Sequence, residues 1–267
     1  MLPAKFQDLR RRYAALHQGG TFLIPNPYDV GSAVLLAAMD FDALATSSSG
    51  MAAAMGRSDQ QVTRDALVAH VTAVCAAVDL PVQVDGEDLF PTEPGGVERT
   101  IRLLAQTGAA GVSLEDFDQS EARILPIPEA ADRVHVAAAV AHEHGMLLTA
   151  RTENFLHEND DLADAVTRLV SYRDAGADVL FAPGITTREQ VSAIVEIGAP
   201  VNVLQLPAGP SVSMLRDWGV RRVSVGGALA WAAYGELIRA ATEFATEGTM
   251  AYSDHSLTAQ QRQVFER

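Results

Sequence analysis

Apolar positions change period again and again along this chain. Phe6, Leu9, Tyr13 and Leu16 share one face of a predicted helix over Ala4–His17, which Gly19-Gly20 stops. From there, short β-branched runs alternate with longer stretches of 3.6-residue spacing. The runs predict strands at Thr21–Ile24, Ala43–Thr46, Val82–Asp85, Gly111–Glu115, Met146–Arg151, Asp178–Ala182, Val201–Gln205 and Arg222–Val225. The helical stretches fall at Tyr28–Met39, Thr63–Val78, Gly96–Gln106, Ile127–His144, Leu162–Asp174, Thr187–Ile197, Val212–Trp218 and Ala230–Ala245. Several of them end in a glycine (Gly108, Gly176, Gly219) that supplies a left-handed cap a few residues before the next strand.

Eight strands, each followed by a helix, fit an α/β fold of the (β/α)8 TIM-barrel type better than an open doubly wound sheet. No Gly-x-Gly-x-x-Gly follows the first strand, which argues against dinucleotide binding. The expected organisation is a single barrel domain over residues 1–267, with an N-terminal helix plugging its bottom and a C-terminal helical extension. Composition agrees, since 48% apolar residues in 267 supply a large core.

The formal charge of −14 disfavours nucleic acid and other polyanions as partners. No apolar run is long enough for a membrane span, and the polar, basic Met1–Arg12 stretch lacks the apolar segment of a secretion signal. The lone cysteine, Cys75, lies in an apolar helical stretch and reads as core packing, which together with the other signs predicts a cytoplasmic protein.

The candidate chemistry lies where strands end. In Val82-Gln83-Val84-Asp85-Gly86-Glu87-Asp88 a buried strand breaks into three carboxylates, and like charges packed so closely call for solvent, a cation or a positive side chain. In a barrel of this class the active site gathers at the carboxyl ends of the strands. Those ends hold Asn26 and Asp29, then Ser47-Ser48-Ser49-Gly50, then the Asp85 cluster, Glu115-Asp116, and Arg151 with Glu153. An acidic ring with an arginine and a Ser/Gly loop suits a hard divalent cation and a small anionic substrate. Mg²⁺ fits, with Mn²⁺ as a substitute; zinc would want histidine or cysteine. His142 and His144 read as solvated cations at a helix end, Gly226-Gly227 as a tight turn, and His157 as a weaker candidate beside the site.

Four segments together resemble the isocitrate lyase/phosphoenolpyruvate mutase superfamily: Ala45–Asp59, Pro81–Glu87, Gly108–Asp116 and Thr149–Glu153. The resemblance runs from about Pro25 to Ala245. It implies a Mg²⁺-dependent barrel acting on 2-oxo acids, assembled as a homo-oligomer (dimer or tetramer) that exchanges the eighth helix between subunits. It also implies roles. Asp85 would touch the metal; Asp59, Glu87 and Glu115 would hold its waters. Ser47 and the backbone N–H groups of Ser48 and Ser49 would grip the substrate carboxylate, and Arg151 its oxygens. Glu87 replaces an aspartate common in relatives. After Glu115-Asp116 the chain departs further: Phe117–Pro126 contains neither the cysteine of the lyases nor the lysine and asparagine of the phosphonate enzymes.

The expected function is Mg²⁺-dependent C–C cleavage of an oxaloacetate-like 2-oxo acid or dicarboxylate through an enolate, with Arg151 and Glu115 as catalytic residues. The alternatives are a phosphonopyruvate-type C–P hydrolase, with Arg123 as a phosphonate ligand, or a barrel that binds 2-oxo acids without turnover.

Overall fold

All eight expected strands pair in parallel in the computed structural model, which describes residues 3–266. They are β1 (Phe22–Ile24), β2 (Leu44–Ala45), β3 (Val82–Val84), β4 (Gly111–Glu115), β5 (Leu147–Arg151), β6 (Val179–Phe181), β7 (Val201–Leu204) and β8 (Arg222–Ser224). Met1, Leu2 and Arg267 lie outside the described residues. The strands follow one another in chain order around the sheet, with β8 beside β1. A single backbone bond from the Ala45 N–H to the Pro25 carbonyl (3.0 Å) joins β1 to β2 and brings the sheet nearly to closure as a barrel.

Helices surround the barrel where side chains can cap their exposed N–H groups. Thr63 caps Arg64–Ala77, Asp161 caps Leu162–Asp174, and Thr187 forms a reciprocal box with Gln190 ahead of Arg188–Val195. The N-terminal helix, Ala4–Leu16, does plug the bottom. Arg10 staples it there by donating to the carbonyls of Ala109 (2.9 Å) and Ala105 (2.7 Å), and the fully buried Tyr13 enters the barrel to donate to Gln83 Oε1 (3.0 Å). Gly111 makes room for this, because a Cβ there would overlap the Gln83 side chain and the Tyr13 ring.

Two elements depart from expectation. The serine stretch after β2 opens a helix, Ser48–Ala54, capped by Ser47, whose Oγ accepts from the Gly50 N–H (3.3 Å). The stretch after β4 folds into a small antiparallel hairpin, Phe117–Asp118 with Arg123–Ile124. Asp118 closes its turn by accepting from Ser120. Neither has an apolar period, so neither could be read from the pattern.

The helix after β8 covers Ala228–Glu247 and buries only Ala230, leaving Trp231, Leu237, Ile238 and Phe244 exposed. The chain beyond it forms short helical turns at Ala251–His255, Ala259–Arg262 and Gln263–Phe265. No helix among the described residues is long and apolar enough to cross a membrane.

His142, expected to be a free cation at a helix end, lies 2.9 Å from Asp178, which also accepts from the Leu148 N–H. Cys75 is buried against the core, and burial pushes its thiol up to about 12, with a Thr107 contact opposing. A thiol so far from ionising is a packing group. Cys75→Ala is expected to cost about 1 kcal/mol of stability, seen as a small fall in denaturation midpoint. A hundredfold loss of kcat with an unchanged melting curve would contradict that role.

Candidate active site

The carboxyl ends of the strands enclose a cavity of about 190 Å³ whose lining includes Ser47, Ser48, Ser49, Asp59, Asp85 and Arg151. Side chains alternate along a strand, which decides who enters. On β4, Glu115 turns toward Arg151 in the cavity wall, whereas its neighbour Asp116 turns behind the sheet. There Asp116 accepts from the Glu153 N–H (2.9 Å), Thr152 (3.0 Å) and Tyr172 (2.6 Å). Asp116 therefore fixes the β5 exit rather than joining the chemistry. Asp29 is likewise a helix cap, accepting from the Ser32 N–H at 2.7 Å, and Asp88 turns away to accept from the Phe90 N–H.

Arg151 is the hub. Its Nη1 donates to Asp85 Oδ1 (2.8 Å), its Nε to Glu153 Oε1 (2.8 Å), and its Nη2 lies 3.4 Å from Glu115 Oε2. Burial alone would lower its pKa; the charges of Glu153, Asp85 and Glu115 outweigh burial and raise it, so it is a fixed cation. Burial raises Glu115 and Glu153 in turn, with Arg151 pulling both back toward ionisation.

Asp85 is held on three sides. Its Oδ1 accepts from Ser113 (3.2 Å) as well as Arg151, and its Oδ2 from the Ser48 N–H (3.0 Å). The Ser48 N–H, expected to grip substrate, here serves Asp85. Ser47 and Ser49 touch each other through their hydroxyls (3.2 Å) at the cavity wall. Gly227 lets Ser49 approach, since a Cβ there would stand 2.6 Å from its Oγ. Asn26 ties the rim by donating to the Thr46 carbonyl and accepting from the N–H groups of Val225 and Gly226.

Glu87 sits in a left-handed turn (φ 50°), and a Cβ at the preceding Gly86 would overlap the Ser113 carbonyl, so this turn is pressed against β4. The Glu87 side chain is buried and its Oε1 has no hydrogen-bond partner. Burial, followed by the charges of Asp85, Asp59 and Asp88, pushes its carboxyl up to about 8. Asp59 is also raised, by desolvation and then by Asp85, against a contact with Ser48. Among the described residues no three His, Cys, Asp or Glu side chains form a preformed metal cage. The donor set nonetheless suits a hard cation held by one direct carboxylate with others acting through water: oxygen donors only, Glu87 and Asp59 raised beside acidic neighbours, and an orphaned buried oxygen on Glu87.

The residues missed by sequence reasoning are Gln60, which donates to Glu115 Oε1 (3.1 Å), Ser113, and Thr46, whose hydroxyl accepts from the Asp85 N–H. All three are neutral side chains whose role exists only through an acidic residue distant in sequence, and the sequence carries no mark of it. His157 stacks on Phe117 with ring centroids 3.6 Å apart, joining the β5 loop to the hairpin above the cavity.

Glu87 yields a pH prediction. A carboxyl raised in the fold stabilises it at low pH, and that stability is lost as pH rises through about 8. Without divalent cation the melting temperature is expected to fall as the medium is made more alkaline across that window. Mg²⁺ should restore it, more at the alkaline end, and Glu87→Gln should flatten the slope. A slope equal in Glu87→Gln and the unaltered protein would contradict this. Glu87→Asp should cost little activity, a water filling the lost reach.

Comparison with known proteins agrees with this geometry. The family described as phosphoenolpyruvate phosphomutase matches residues 13–245. The crystal structure of a proposed lyase/mutase from Burkholderia cenocepacia J2315 superposes with a TM-score of 0.93 at 42% identity, covering 98% of each chain. An uncharacterized Mycobacterium tuberculosis protein is 33% identical over 213 residues, 79% of either chain. An oxaloacetate decarboxylase of Rhodopseudomonas palustris is 28% identical over 163 residues, 59% of this chain and 54% of its own. With a cavity lined by Asp59, Asp85 and Arg151 at the mouth of a parallel barrel, and a family match over most of its length, the chain belongs to the isocitrate lyase/phosphoenolpyruvate mutase superfamily.

Proposed function

We propose that this protein is a Mg²⁺-dependent enzyme, active also with Mn²⁺, that cleaves a C–C bond in an oxaloacetate-like 2-oxo acid. The observation carrying this reading is Arg151, a buried cation shared among Asp85, Glu115 and Glu153 at the wall of a small cavity. Asp85 would hold the metal directly, with Asp59, Glu87 and Glu115 holding its waters. When bound, the metal supplies Lewis-acid stabilisation of the negative charge that develops on the 2-oxo oxygen.

The chain's own residues do the rest. Arg151 offers guanidinium N–H groups to the same developing oxyanion, pre-oriented by three carboxylates and so needing no reorganisation during the reaction. Ser47 and Ser49 donate to the substrate carboxylate, fixing which bond lies across the enolate plane. Glu115, with its pKa raised by burial, can hold or release a proton beside Arg151. Leu156, on the loop after β5, lines the cavity, and the His157–Phe117 stack ties that loop to the hairpin.

The test is a screen of 2-oxo acids and phosphonates with Mg²⁺ or Mn²⁺. Pyruvate or oxalate released from oxaloacetate supports the reading. Phosphate released from phosphonopyruvate instead would favour the C–P hydrolase, for which Arg123 lines a recess of about 420 Å³ under the hairpin. No turnover of any 2-oxo acid would leave only a binding role.

We also propose that a second copy of this chain covers the helix Ala228–Glu247. Twenty residues that bury one alanine and expose Trp231, Leu237, Ile238 and Phe244 form an unpartnered apolar face, which fits an exchanged eighth helix in a dimer or tetramer. Leu23 on β1 is exposed on the barrel as well, as a missing covering helix requires. Sedimentation should show an oligomer that Ile238→Glu dissociates; a monomeric unaltered protein would end this proposal. We propose a cytoplasmic location as well, which the buried free thiol of Cys75 supports.

A further inference from the structure

The floor of the same cavity holds a second arginine that the chemistry above does not use. Arg222 opens β8, is 3% exposed, and lines the cavity together with Asp85 and Arg151. Unlike Arg151 it has only neutral hydrogen-bond partners. Its Nε donates to Asn202 Oδ1 (2.8 Å), its Nη1 to the Tyr13 hydroxyl (2.6 Å), and its Nη2 to Thr149 Oγ1 (3.0 Å). Nη1 also faces His17 Nε2 at 3.4 Å. That imidazole is neutral: its Nδ1 donates to the Tyr13 carbonyl, and burial followed by the Arg222 charge holds its pKa down near 3.

A guanidinium taken out of water without a counter-charge is costly, and neutral acceptors compensate only part of that cost. Five N–H donors are available on an arginine. The contacts above leave one Nη2 N–H without a protein acceptor. Thr149, which Nη2 touches, stands two residues before Arg151 on β5, so the floor lies one layer below the reacting level, roughly 7 Å along the strand. A short dicarboxylate spans such a distance. Of the two arginines that line the cavity, Arg151 is already engaged by Asp85 and Glu153, which leaves Arg222 as the cation open to a second substrate carboxylate.

We propose that Arg222, with Thr149 and Asn202 beside it, forms a carboxylate subsite at the cavity floor that selects dicarboxylic 2-oxo acids. The 2-oxo acid end lies among Ser47, Asp85 and Arg151, and the far carboxylate points down the barrel axis to Arg222. This rests on the 2-oxo acid reading above and adds to it the number and placement of the substrate's charges.

The experiment is equilibrium binding to the full chain in Mg²⁺, comparing oxaloacetate and 2-oxoglutarate with pyruvate. The unaltered protein should bind the dicarboxylates at least about tenfold more tightly than pyruvate. Arg222→Met should lose that advantage and leave pyruvate affinity within about twofold. Where Arg222→Met does not fold, Arg222→Lys keeps the charge without the fork and should lose part of the dicarboxylate preference alone. Equal losses for both ligand classes, or an unchanged preference in a folded variant, would overturn the subsite. Pyruvate binding without any dicarboxylate preference in the unaltered protein would overturn the subsite and leave the functional reading standing; binding of no 2-oxo acid would end both.

Discussion

Asp85→Ala is expected to abolish turnover, lowering kcat on the order of 10³-fold, while the barrel stays folded. The side chain is at a strand end, 18% exposed, so its loss empties no core volume. What it removes is the cavity carboxylate that meets Ser113, the Ser48 N–H and Arg151 together, and hence the proposed direct metal ligand. Two measurements check this. Mg²⁺ titration should raise the melting temperature of the unaltered protein and leave that of Asp85→Ala unmoved. Turnover by Asp85→Ala equal to the unaltered protein's, or insensitive to chelator in either, would sink the metal reading. Asp85→Asn should share the loss of activity, because it preserves the shape but removes the charge and turns one of the two accepting oxygens into a donor.

Arg151→Met should be nearly as severe for activity and much worse for the fold. Glu115 and Glu153 are each 3% exposed and share this one guanidinium. Removing it strands two buried carboxyls, a loss on the order of 3–5 kcal/mol at neutral pH. Both carboxyls already have raised pKa values, so the destabilisation must shrink as pH falls and they take up protons. Denaturant titrations of Arg151→Met and the unaltered protein at several pH values test this; a stability gap that widens toward acid would contradict the arrangement. Arg151→Lys should fold better than Arg151→Met yet remain poorly active, since one ammonium cannot reproduce a fork that spans Asp85, Glu115 and Glu153.

Much of this was written along the chain. The alternation of β-branched runs with helical periods determined the barrel, because each strand must bury both faces and each helix one, and the glycine stops set the element boundaries. Asp85, Arg151 and Glu115 were legible for a related reason: charge at the end of an apolar strand is conspicuous, and in a barrel all such ends meet at one mouth. The four quoted segments added the superfamily, which the match over residues 13–245 bears out.

Tertiary structure alone decided the rest. Adjacent carboxylates in the sequence went opposite ways, Glu115 to Arg151 at the cavity wall and Asp116 to Tyr172 behind the sheet, because neighbours on a strand face opposite sides. The serine stretch became a helix start instead of a loop, and Asp85, distant in sequence, accepts the Ser48 N–H there. Arg222 reads in the sequence as one half of an ordinary Arg221-Arg222 pair. Only closure of the barrel brings it against Tyr13 from the N-terminal helix and into one cavity with Asp85, and what an isolated charge does depends on what the fold leaves beside it.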